Sequence, residues 1–331
     1  MGHKIVIAGA GSIGCFVGGL LAKGGAEVTF LARPRIAEEV ETAGLSLTSF
    51  EGWAERVDPS VVTLATDPAL AFAGARTILV TVKSGATAEM GALIAAHAPP
   101  EAAVVSLQNG LANAELLRKA LPGRPVFAGM VSFNVLHRGP GQFHRGTSGP
   151  VVVEAGAPPL AAPHLDFLQH PDMGAVLAGK LLYNLNNALN ALSGLTLAEQ
   201  LGDRRWRRLF AAAQEEALAV FRAAGITPWS MSKVPVQRMP RMLRLPNFLF
   251  RQLSKRGVRI DRTARSSMWE DLEKRRPTEI DELQGAIIRR GAALGVPTPV
   301  NIRIAEAIRA AEQAGTGSPR LDPDQLSGGT S

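Results

Sequence analysis

The residues near the start of the chain could bind a phosphate-containing cofactor. The run GAGSIG contains glycines in the pattern G-x-G-x-x-G, between a short apolar segment and a helix-like segment. In that context the first glycine permits a tight turn, the second lets backbone approach a pyrophosphate, and the third lets helix and strand pack closely. The N-terminus of the helix then offers N–H groups and a positive dipole end to the phosphates. The predicted cofactor-binding residues of this loop are Gly9, Ala10, Gly11, Ser12, Ile13 and Gly14.

The end of the second predicted strand indicates which dinucleotide this loop would bind. NAD-specific sites usually carry an acidic residue there, about 20 residues after the glycines, for the ribose 2′-hydroxyl. Here the strand ends in FLARPR, which has no acidic residue. A guanidinium group matches the geometry of a phosphate, so Arg33, with Arg35 as a helper, predicts NADP(H) over NAD(H). The alternative is an ordinary surface arginine at the end of a strand.

A lysine and two asparagines share one face of a helix predicted over Gly179–Leu192. Lys180, Asn184 and Asn187 stand at positions i, i+4 and i+7, which places both asparagines within about 40° of the lysine around the helix. Leucines flank them, so this polar stripe lies at a buried edge and needs partners. Burial lowers the pKa of a lysine, which can then donate a proton near neutral pH. The alternative is a solvated polar face.

A second polar cluster contains Ser267, in the run RSSMWEDL, and Glu279, in the run RPTEID. Pro277 indicates the start of a new helix. Glu279 would then lie in the first turn of that helix, where a carboxylate is favoured. From spacing alone, a simple helix-end charge is the favoured explanation of Glu279.

The two groups of residues fall in regions of different character. The first half alternates strand and helix patterns, which indicates a parallel sheet with crossover helices, whereas residues 174–225 and 263–314 show only helical patterns. We therefore predict an α/β Rossmann domain over residues 1–170, an all-α domain over residues 171–314 and a flexible tail over residues 315–331. Residues 139–149 are predicted to form a loop. The predicted strands are Lys4–Ala8, Glu27–Ala32, Thr77–Val82, Ala103–Leu107, Val126–Val131 and Val151–Glu154.

Composition limits the classes of protein further. The chain has 331 residues, of which 46% are hydrophobic, enough for two domain cores. A single cysteine, Cys15, excludes an intramolecular disulfide framework, and the six histidines show no metal-ligand spacing. Because no apolar run approaches the roughly 18–20 residues of a membrane span and no signal-peptide pattern is present, we expect a cytoplasmic protein. The net charge of 36 − 29 = +7 suits an anionic ligand, a nucleic acid or a membrane surface, although genome composition is the favoured explanation.

Taken together, these segments resemble the ketopantoate reductase (2-dehydropantoate 2-reductase) family over about residues 4–312. The motifs that carry the resemblance are GAGSIG, TVKSG around Lys83, LQNG around Asn109, the helix beginning KLLYN, and SSMWEDLEKRRPTEID. The resemblance implies a two-domain fold like that of 6-phosphogluconate dehydrogenase. It also implies NADPH-dependent reduction of ketopantoate to pantoate, by hydride transfer to the C2 ketone, in pantothenate and coenzyme A biosynthesis.

The resemblance assigns catalytic and substrate-binding roles to four residues. Lys180 matches the general acid that protonates the substrate carbonyl oxygen. Asn184 matches a substrate-binding asparagine, and Ser267 matches the serine that holds the substrate carboxylate. Glu279 matches a catalytic glutamate near the lysine and the cofactor ribose.

Three further matches concern the cofactor. Lys83 and Asn109 match residues at the carboxyl edge of the sheet, where both contact the cofactor and Asn109 also contacts substrate. Arg33 matches the arginine that binds the 2′-phosphate, in agreement with the independent argument above. A small 2-oxo acid is thus the implied partner, without nucleic acid or membrane, and a homodimer is left open.

One departure from the family pattern bears on the substrate. The family commonly has a second asparagine eight residues after the lysine, where this chain has Ala188. Helical geometry favours Asn187 as the functional replacement, and the alternative is another branched 2-oxo acid as substrate.

A basic segment, residues 229–260, contains eight lysines and arginines and no acidic residue. It fits a lid or a subunit contact. It also leaves open a non-catalytic NADP-binding regulator that contacts a membrane or nucleic acid.

Overall fold

The computed structural model describes residues 3–231, 234–254 and 264–326. The chain divides after Met173 into two units, which are described separately below. This division lies three residues beyond the boundary expected from the sequence.

The first unit contains twelve strands and five α-helices among its described residues. The strands are β1 (Ile5–Ala8), β2 (Val28–Leu31), β3 (Leu45–Ser49), β4 (Ala54–Val57), β5 (Val62–Ala65), β6 (Thr77–Val80), β7 (Ala103–Ser106), β8 (Val126–Val131), β9 (Val135–Gly139), β10 (Gln142–Arg145), β11 (Val151–Glu154) and β12 (Phe167–His170). The helices are α1 (Ser12–Lys23), α2 (Pro34–Ala43), α3 (Pro68–Phe72), α4 (Thr87–His97) and α5 (Asn113–Ala120).

Eight of these strands form the main sheet, in the order β12-β11-β8-β7-β6-β1-β2-β5. The strands from β8 to β5 in this order are all parallel. They have the 3-2-1-4-5-6 order of a doubly wound dinucleotide-binding fold. The strands β1, β6 and β7 are buried throughout and largely apolar, as expected where helices cover both faces of a sheet. The predicted Rossmann domain is therefore confirmed.

The register of the main sheet places four loops along one edge. Ala8, the last residue of β1, pairs with Leu31 of β2 and with Val80 of β6, which in turn pairs with Ser106 of β7. The chain leaves all four strands at this level. The loops that carry the predicted cofactor residues therefore begin side by side.

A second sheet, in the order β4-β3-β10-β9, was not predicted. Its strand β10 lies within residues 139–149, which we expected to form a loop. Leu45, Leu47 and Phe143 of this sheet belong to the same buried core as Phe16 of α1. The sheet thus covers the outer side of α1, the helix that follows the glycine motif.

The second unit contains nine α-helices and no strand among its described residues, which confirms the predicted all-α domain. They are α6 (Met173–Asn184), α7 (Asn186–Ser193), α8 (Leu197–Gly202), α9 (Arg204–Ala223), α10 (Met239–Leu243), α11 (Asn247–Ser254), α12 (Ser267–Glu273), α13 (Gln284–Leu294) and α14 (Pro299–Ala314). Capping side chains explain where two of these helices begin: Thr196 and Glu199 form a capping box at α8, and Asp203 caps α9.

The described part of the predicted flexible tail is held against the helices, which differs from our expectation. The Ser318 hydroxyl donates to the Ala191 carbonyl oxygen at 2.6 Å, and the Leu321 N–H donates to the Leu192 carbonyl oxygen at 2.8 Å. Leu326 is buried. These contacts fix residues 318–326, and residues 327–331 lie outside the described part of the chain.

No helix in the described ranges is both long and apolar enough to span a membrane. Over the same ranges, no group of three or more His, Cys, Asp or Glu residues is arranged to hold a metal ion.

Candidate active site

The glycine loop at the end of β1 has the shape of a phosphate cradle. Gly9 has a φ of +111°, and a Cβ there would lie 2.6 Å from Val82 Cγ1. A Cβ on Gly14 would lie 2.3 Å from the Gly9 carbonyl oxygen, so both positions require glycine. A Cβ on Gly11 would instead meet nothing within 4 Å of it among the described atoms. Space for a ligand therefore exists where the motif predicts the pyrophosphate.

The start of α1 is electrostatically suited to an anion. Gly11 occupies the N-cap position without a side-chain cap, and the first turn contains no acidic residue. The unpaired N–H groups and the positive end of the helix dipole are therefore available to phosphate oxygens. These observations fit the phosphates of a dinucleotide, and the loop Gly9–Gly14 would hold them.

The two arginines after β2 differ in their surroundings. Arg33 is exposed at the N-cap of α2, and its side chain makes no hydrogen bond or ion pair with any residue that the structure describes. Arg35 forms an ion pair with Glu39. Glu39 also contacts His137, with 3.1 Å between its Oε2 atom and Nε2 of the histidine. Of the two, Arg33 is the guanidinium available to an anionic ligand.

A buried polar network joins the loops that carry Lys83 and Asn109. The Asn113 side-chain amide donates to the Ser84 hydroxyl at 3.0 Å, and that hydroxyl donates to the Asn109 carbonyl oxygen at 3.1 Å. The Thr87 hydroxyl lies 2.8 Å from Asn113 Oδ1. Because the network is satisfied internally, it holds the backbone at both loops without help from solvent.

Gln108 extends this network to the neighbouring strand ends. Its Nε2 donates to the Val82 carbonyl oxygen at 3.0 Å and to the Thr87 hydroxyl at 2.7 Å. Gln108, Thr87 and Asn113 are not among the site residues predicted from the sequence. A sequence signal was present, since Gln108 comes two residues after β7, and Thr87 and Asn113 are the first residues of the helices α4 and α5 that follow β6 and β7.

In the second unit, Lys180 and Asn184 lie one turn apart on α6, as the spacing predicts. Asn184 is buried, and Lys180 is partly exposed. Burial lowers the pKa of the Lys180 ammonium group from 10.5 to about 8. Lys180 can therefore hold a proton at neutral pH and still release it readily.

The segment that follows α9 packs closely against α6. The Trp229 N–H donates to the Ala175 carbonyl oxygen at 2.9 Å. A Cβ at Gly179 would lie only 2.0 Å from the Trp229 carbonyl oxygen. The chain at Trp229 therefore crosses α6 directly before Lys180, and only a glycine at position 179 permits the approach.

The single helix predicted over Gly179–Leu192 was wrong, because the chain breaks at Leu185 between α6 and α7. Two buried glutamines donate to carbonyl oxygens there: Gln214 Nε2 to Leu182 at 3.0 Å, and Gln284 Nε2 to Leu185 at 2.8 Å. Side-chain donors inserted into the helical ladder are a known cause of such breaks. Leu185 keeps helical backbone angles, with a φ of −56° and a ψ of −24°, so the break is local, and Asn187 lies half-buried in the first turn of α7.

The position predicted for Glu279 in a first helical turn was also wrong. The helix α13 begins only at Gln284, and Glu279 lies half-buried in the turn before it. The Thr278 N–H donates to the Glu312 carboxylate at 2.7 Å, and the Thr278 hydroxyl accepts from the Ile280 N–H at 3.2 Å. These two contacts hold the chain in a turn after Pro277 and delay the helix.

Ser267 is the exposed first residue of α12, and Ser266 caps that helix by accepting from the Trp269 N–H at 3.1 Å. The second unit thus contains Lys180, Asn184, Asn187, Ser267 and Glu279 on four separate segments. The first unit contains the glycine loop, Arg33, Lys83 and Asn109 at one sheet edge. The roles of these residues remain predictions.

Comparison with known proteins decides the family. Residues 5–158 match the family described as "Ketopantoate reductase PanE/ApbA", and residues 172–312 match its C-terminal domain. The chain belongs to the ketopantoate reductase family. It is therefore a member of an oxidoreductase family.

Individual relatives of the chain cover nearly its whole length. It is 28% identical over 325 residues to the 2-dehydropantoate 2-reductase of Halobacterium salinarum, spanning 94% of this chain and 100% of that relative. A solved ketopantoate reductase of the same family from Ralstonia eutropha is 29% identical, with a TM-score of 0.77 over 94% of this chain and 99% of that one. D-mandelate dehydrogenase, solved with NADH and anilino(oxo)acetate, shares the fold at 21% identity, with a TM-score of 0.76 over 94% of this chain and 99% of that one.

Two other features of this ketopantoate reductase family member concern residues outside the motifs. Burial raises the pKa of the Cys15 thiol to about 12, so the thiol stays protonated and behaves as a packed core group. The basic segment is held against α9 by two sets of contacts. Its Arg244 pairs with Glu215 of α9 at 2.5 Å, and its Leu243 and Leu245 carbonyl oxygens accept hydrogen bonds from the buried Arg207 of α9. Lys233 and residues 255–260 of that segment lie outside the described residues.

Proposed function

We propose that this protein catalyses the NADPH-dependent reduction of 2-dehydropantoate to pantoate. The observation that carries the proposal is Lys180, a lysine whose pKa is lowered to about 8 by burial, one turn from Asn184 on α6. A proton donor with a pKa near the working pH is what carbonyl reduction requires of the protein. The family membership and the full-length similarity to a 2-dehydropantoate 2-reductase support the choice of reaction.

The cofactor side of the proposal rests on the open cradle at Gly11 and on the exposed Arg33. The loop Gly9–Gly14 would hold the pyrophosphate, and Arg33 would bind the 2′-phosphate that distinguishes NADPH from NADH. Lys83 and Asn109 would contact the cofactor from the neighbouring strand ends. A bound NADPH would supply the hydride.

Lys180 supplies the proton. As negative charge develops on the C2 oxygen of the substrate, the Lys180 ammonium donates a proton to that oxygen, which gives the hydroxyl group of the product. The lysine is left as a neutral amine and regains its proton from solvent. Its lowered pKa makes this transfer easier than it would be from an ordinary exposed lysine.

Other side chains of the second unit would orient the substrate. Ser267 would hold the carboxylate, while Asn184 and Asn187 would contribute amide hydrogen bonds. We propose Glu279 as the carboxylate that acts beside Lys180. Fixing the substrate in this way lowers the entropic cost of reaching the reactive geometry.

A second candidate is the reduction of a different 2-oxo acid by the same groups. Ala188 stands where the family pattern has an asparagine, and Asn187, its proposed replacement, is one position earlier on α7. D-mandelate dehydrogenase also shows that this fold serves other 2-oxo or 2-hydroxy acids. The non-catalytic alternative is less well supported, because a lysine with a lowered pKa has no evident purpose in a protein that only binds.

A substrate panel tests the proposal. NADPH oxidation would be measured with ketopantoate, 2-oxoisovalerate, pyruvate and benzoylformate, each repeated with NADH. We expect the highest kcat/KM for ketopantoate with NADPH. A clear preference for another 2-oxo acid would favour the second candidate, and NADPH binding without any turnover would favour a regulator.

A further inference from the structure

We infer that Asn190 is a positioning residue for the substrate carboxylate, because it fixes the start of α12, and hence Ser267, against α7. The inference rests on the proposed function, in which Ser267 binds the carboxylate. Asn190 is not among the residues that the sequence motifs assign to the reaction.

The Asn190 side chain is fully buried, and both the oxygen and the nitrogen of its amide form hydrogen bonds. Its Oδ1 accepts a hydrogen bond from the Ser266 N–H at 2.8 Å. Its Nδ2 donates to the Leu195 carbonyl oxygen at 3.0 Å and lies 3.5 Å from Gln200 Oε1. A buried amide satisfied in this way has one orientation, because rotating it would leave polar atoms unpaired.

Gln200, which lies beside the Asn190 amide, is itself held by a second asparagine. Asn186 and Gln200 exchange two hydrogen bonds, of 3.1 Å and 2.9 Å, between their buried side-chain amides. Asn186 and Asn190 stand at i and i+4 and therefore share one face of α7. Their spacing in the sequence is a signal of this shared polar face.

The start of α12 is joined to α7 by a further hydrogen bond. The Ser266 hydroxyl donates to the Asn187 carbonyl oxygen at 2.9 Å while it accepts from the Trp269 N–H at 3.1 Å. The backbone of Ser266 is thus held by Asn190 and its side chain by Asn187. Ala264, two residues earlier, accepts from the Leu197 N–H at 2.9 Å.

These contacts have a consequence for the next residue. Ser267 follows Ser266 directly and is exposed, so its position is set by the backbone that Asn190 and Asn187 hold. A substrate contact displaced by about 1 Å can lose much of its effect on the reaction. Loss of the Asn190 amide should therefore weaken the binding of the oxo acid and leave the binding of NADPH unchanged.

A double-mutant cycle on KM tests this inference. We expect Asn190→Leu to raise the KM for the 2-oxo acid about tenfold, the cost of roughly one hydrogen bond. In a Ser267→Ala background the same change should raise KM by less than about twofold, because its route of action is already lost. An equal rise in both backgrounds would show that Asn190 acts independently of Ser267 and would overturn the inference.

Asn301→Leu is the matched control. Asn301 is also a fully buried asparagine of this unit, and its Nδ2 donates to the Ala213 carbonyl oxygen at 3.1 Å, away from α12. It should lower Tm as Asn190→Leu does and leave the KM for the oxo acid unchanged. A similar rise in KM for Asn301→Leu would mean that the effect is general destabilisation, which would overturn the inference.

Ser266→Ala provides a milder variant should Asn190→Leu fail to fold. It removes the bond to the Asn187 carbonyl oxygen and should also raise KM only when Ser267 is present. An equal effect in both backgrounds would again count against the inference. If the wild-type protein reduced no 2-oxo acid at all, the proposed function would fail first and the inference with it.

Discussion

Lys180 combines a charged group that is partly withdrawn from water with a position on α6 one turn from the buried Asn184. Burial disfavours its charged form, which brings its pKa to about 8. In its proposed role as general acid it must be protonated to act, so activity should be retained below this pKa and lost above it.

The first prediction at this scale is therefore a pH dependence. The kcat for 2-oxo acid reduction should fall as pH rises through about 8, approaching a tenfold loss per pH unit. The reverse oxidation needs the neutral amine and should rise over the same range. Initial rates in both directions between about pH 6 and 10 check this. A reduction rate that increased with pH would exclude Lys180 as the acid.

A second prediction at this scale concerns cofactor choice. Arg33→Ala should raise the KM for NADPH by about 10–100-fold, because it removes a charge-assisted contact to the 2′-phosphate, and should hardly change that for NADH. Arg35→Ala is the matched control, since Arg35 is already engaged by Glu39. An equal effect of both variants, or a wild-type preference for NADH, would refute the assignment of Arg33.

At the scale of elements, the break between α6 and α7 depends on residues distant in sequence. Gln214 and Gln284 come from α9 and α13, and each donates to a carbonyl oxygen at the break. No periodicity within residues 179–192 contains that information. The break is thus a tertiary feature imposed on a helical sequence.

Gln284→Leu tests this explanation. It leaves the Leu185 carbonyl oxygen without its side-chain donor and should lower the free energy of unfolding by about 1–2 kcal/mol. Gln237→Leu is the matched control, because Gln237 is exposed and also donates to a carbonyl oxygen, that of Pro228. This change should lower the free energy of unfolding by less than about 0.5 kcal/mol. Urea unfolding of both variants measures the difference. Equal stability losses would mean that the buried donor has no special role.

At the scale of the whole molecule, the parallel main sheet could be predicted because its central strands are continuous apolar runs separated by helical patterns. The strand β8 has the bounds that the sequence predicts, and β1, β6 and β7 differ by one or two residues. The second sheet could not be anticipated, because short strands such as β3 alternate between buried and half-buried residues over only five positions. The turn at Glu279 escaped prediction for a similar reason, since it depends on the contact between Thr278 and Glu312.

The net charge of 36 − 29 = +7 carries a prediction of its own. A positive field increases the rate at which anions associate, and salt screens that field. The kcat/KM for NADPH should therefore fall as sodium chloride is raised from about 0.02 to 0.5 M, and more steeply than the kcat/KM for NADH, which lacks the 2′-phosphate. Identical slopes for the two cofactors would argue against electrostatic attraction of the 2′-phosphate.

The most direct test of the central claim is the rate of NADPH oxidation with ketopantoate, measured for the wild type beside Lys180→Ala. We predict ready turnover by the wild type and a loss of about 10²–10⁴-fold in kcat for the variant, with NADPH affinity unchanged. Turnover of the variant at the wild-type rate would contradict the role of Lys180. A wild-type protein that binds NADPH but does not reduce ketopantoate would contradict the proposed reaction.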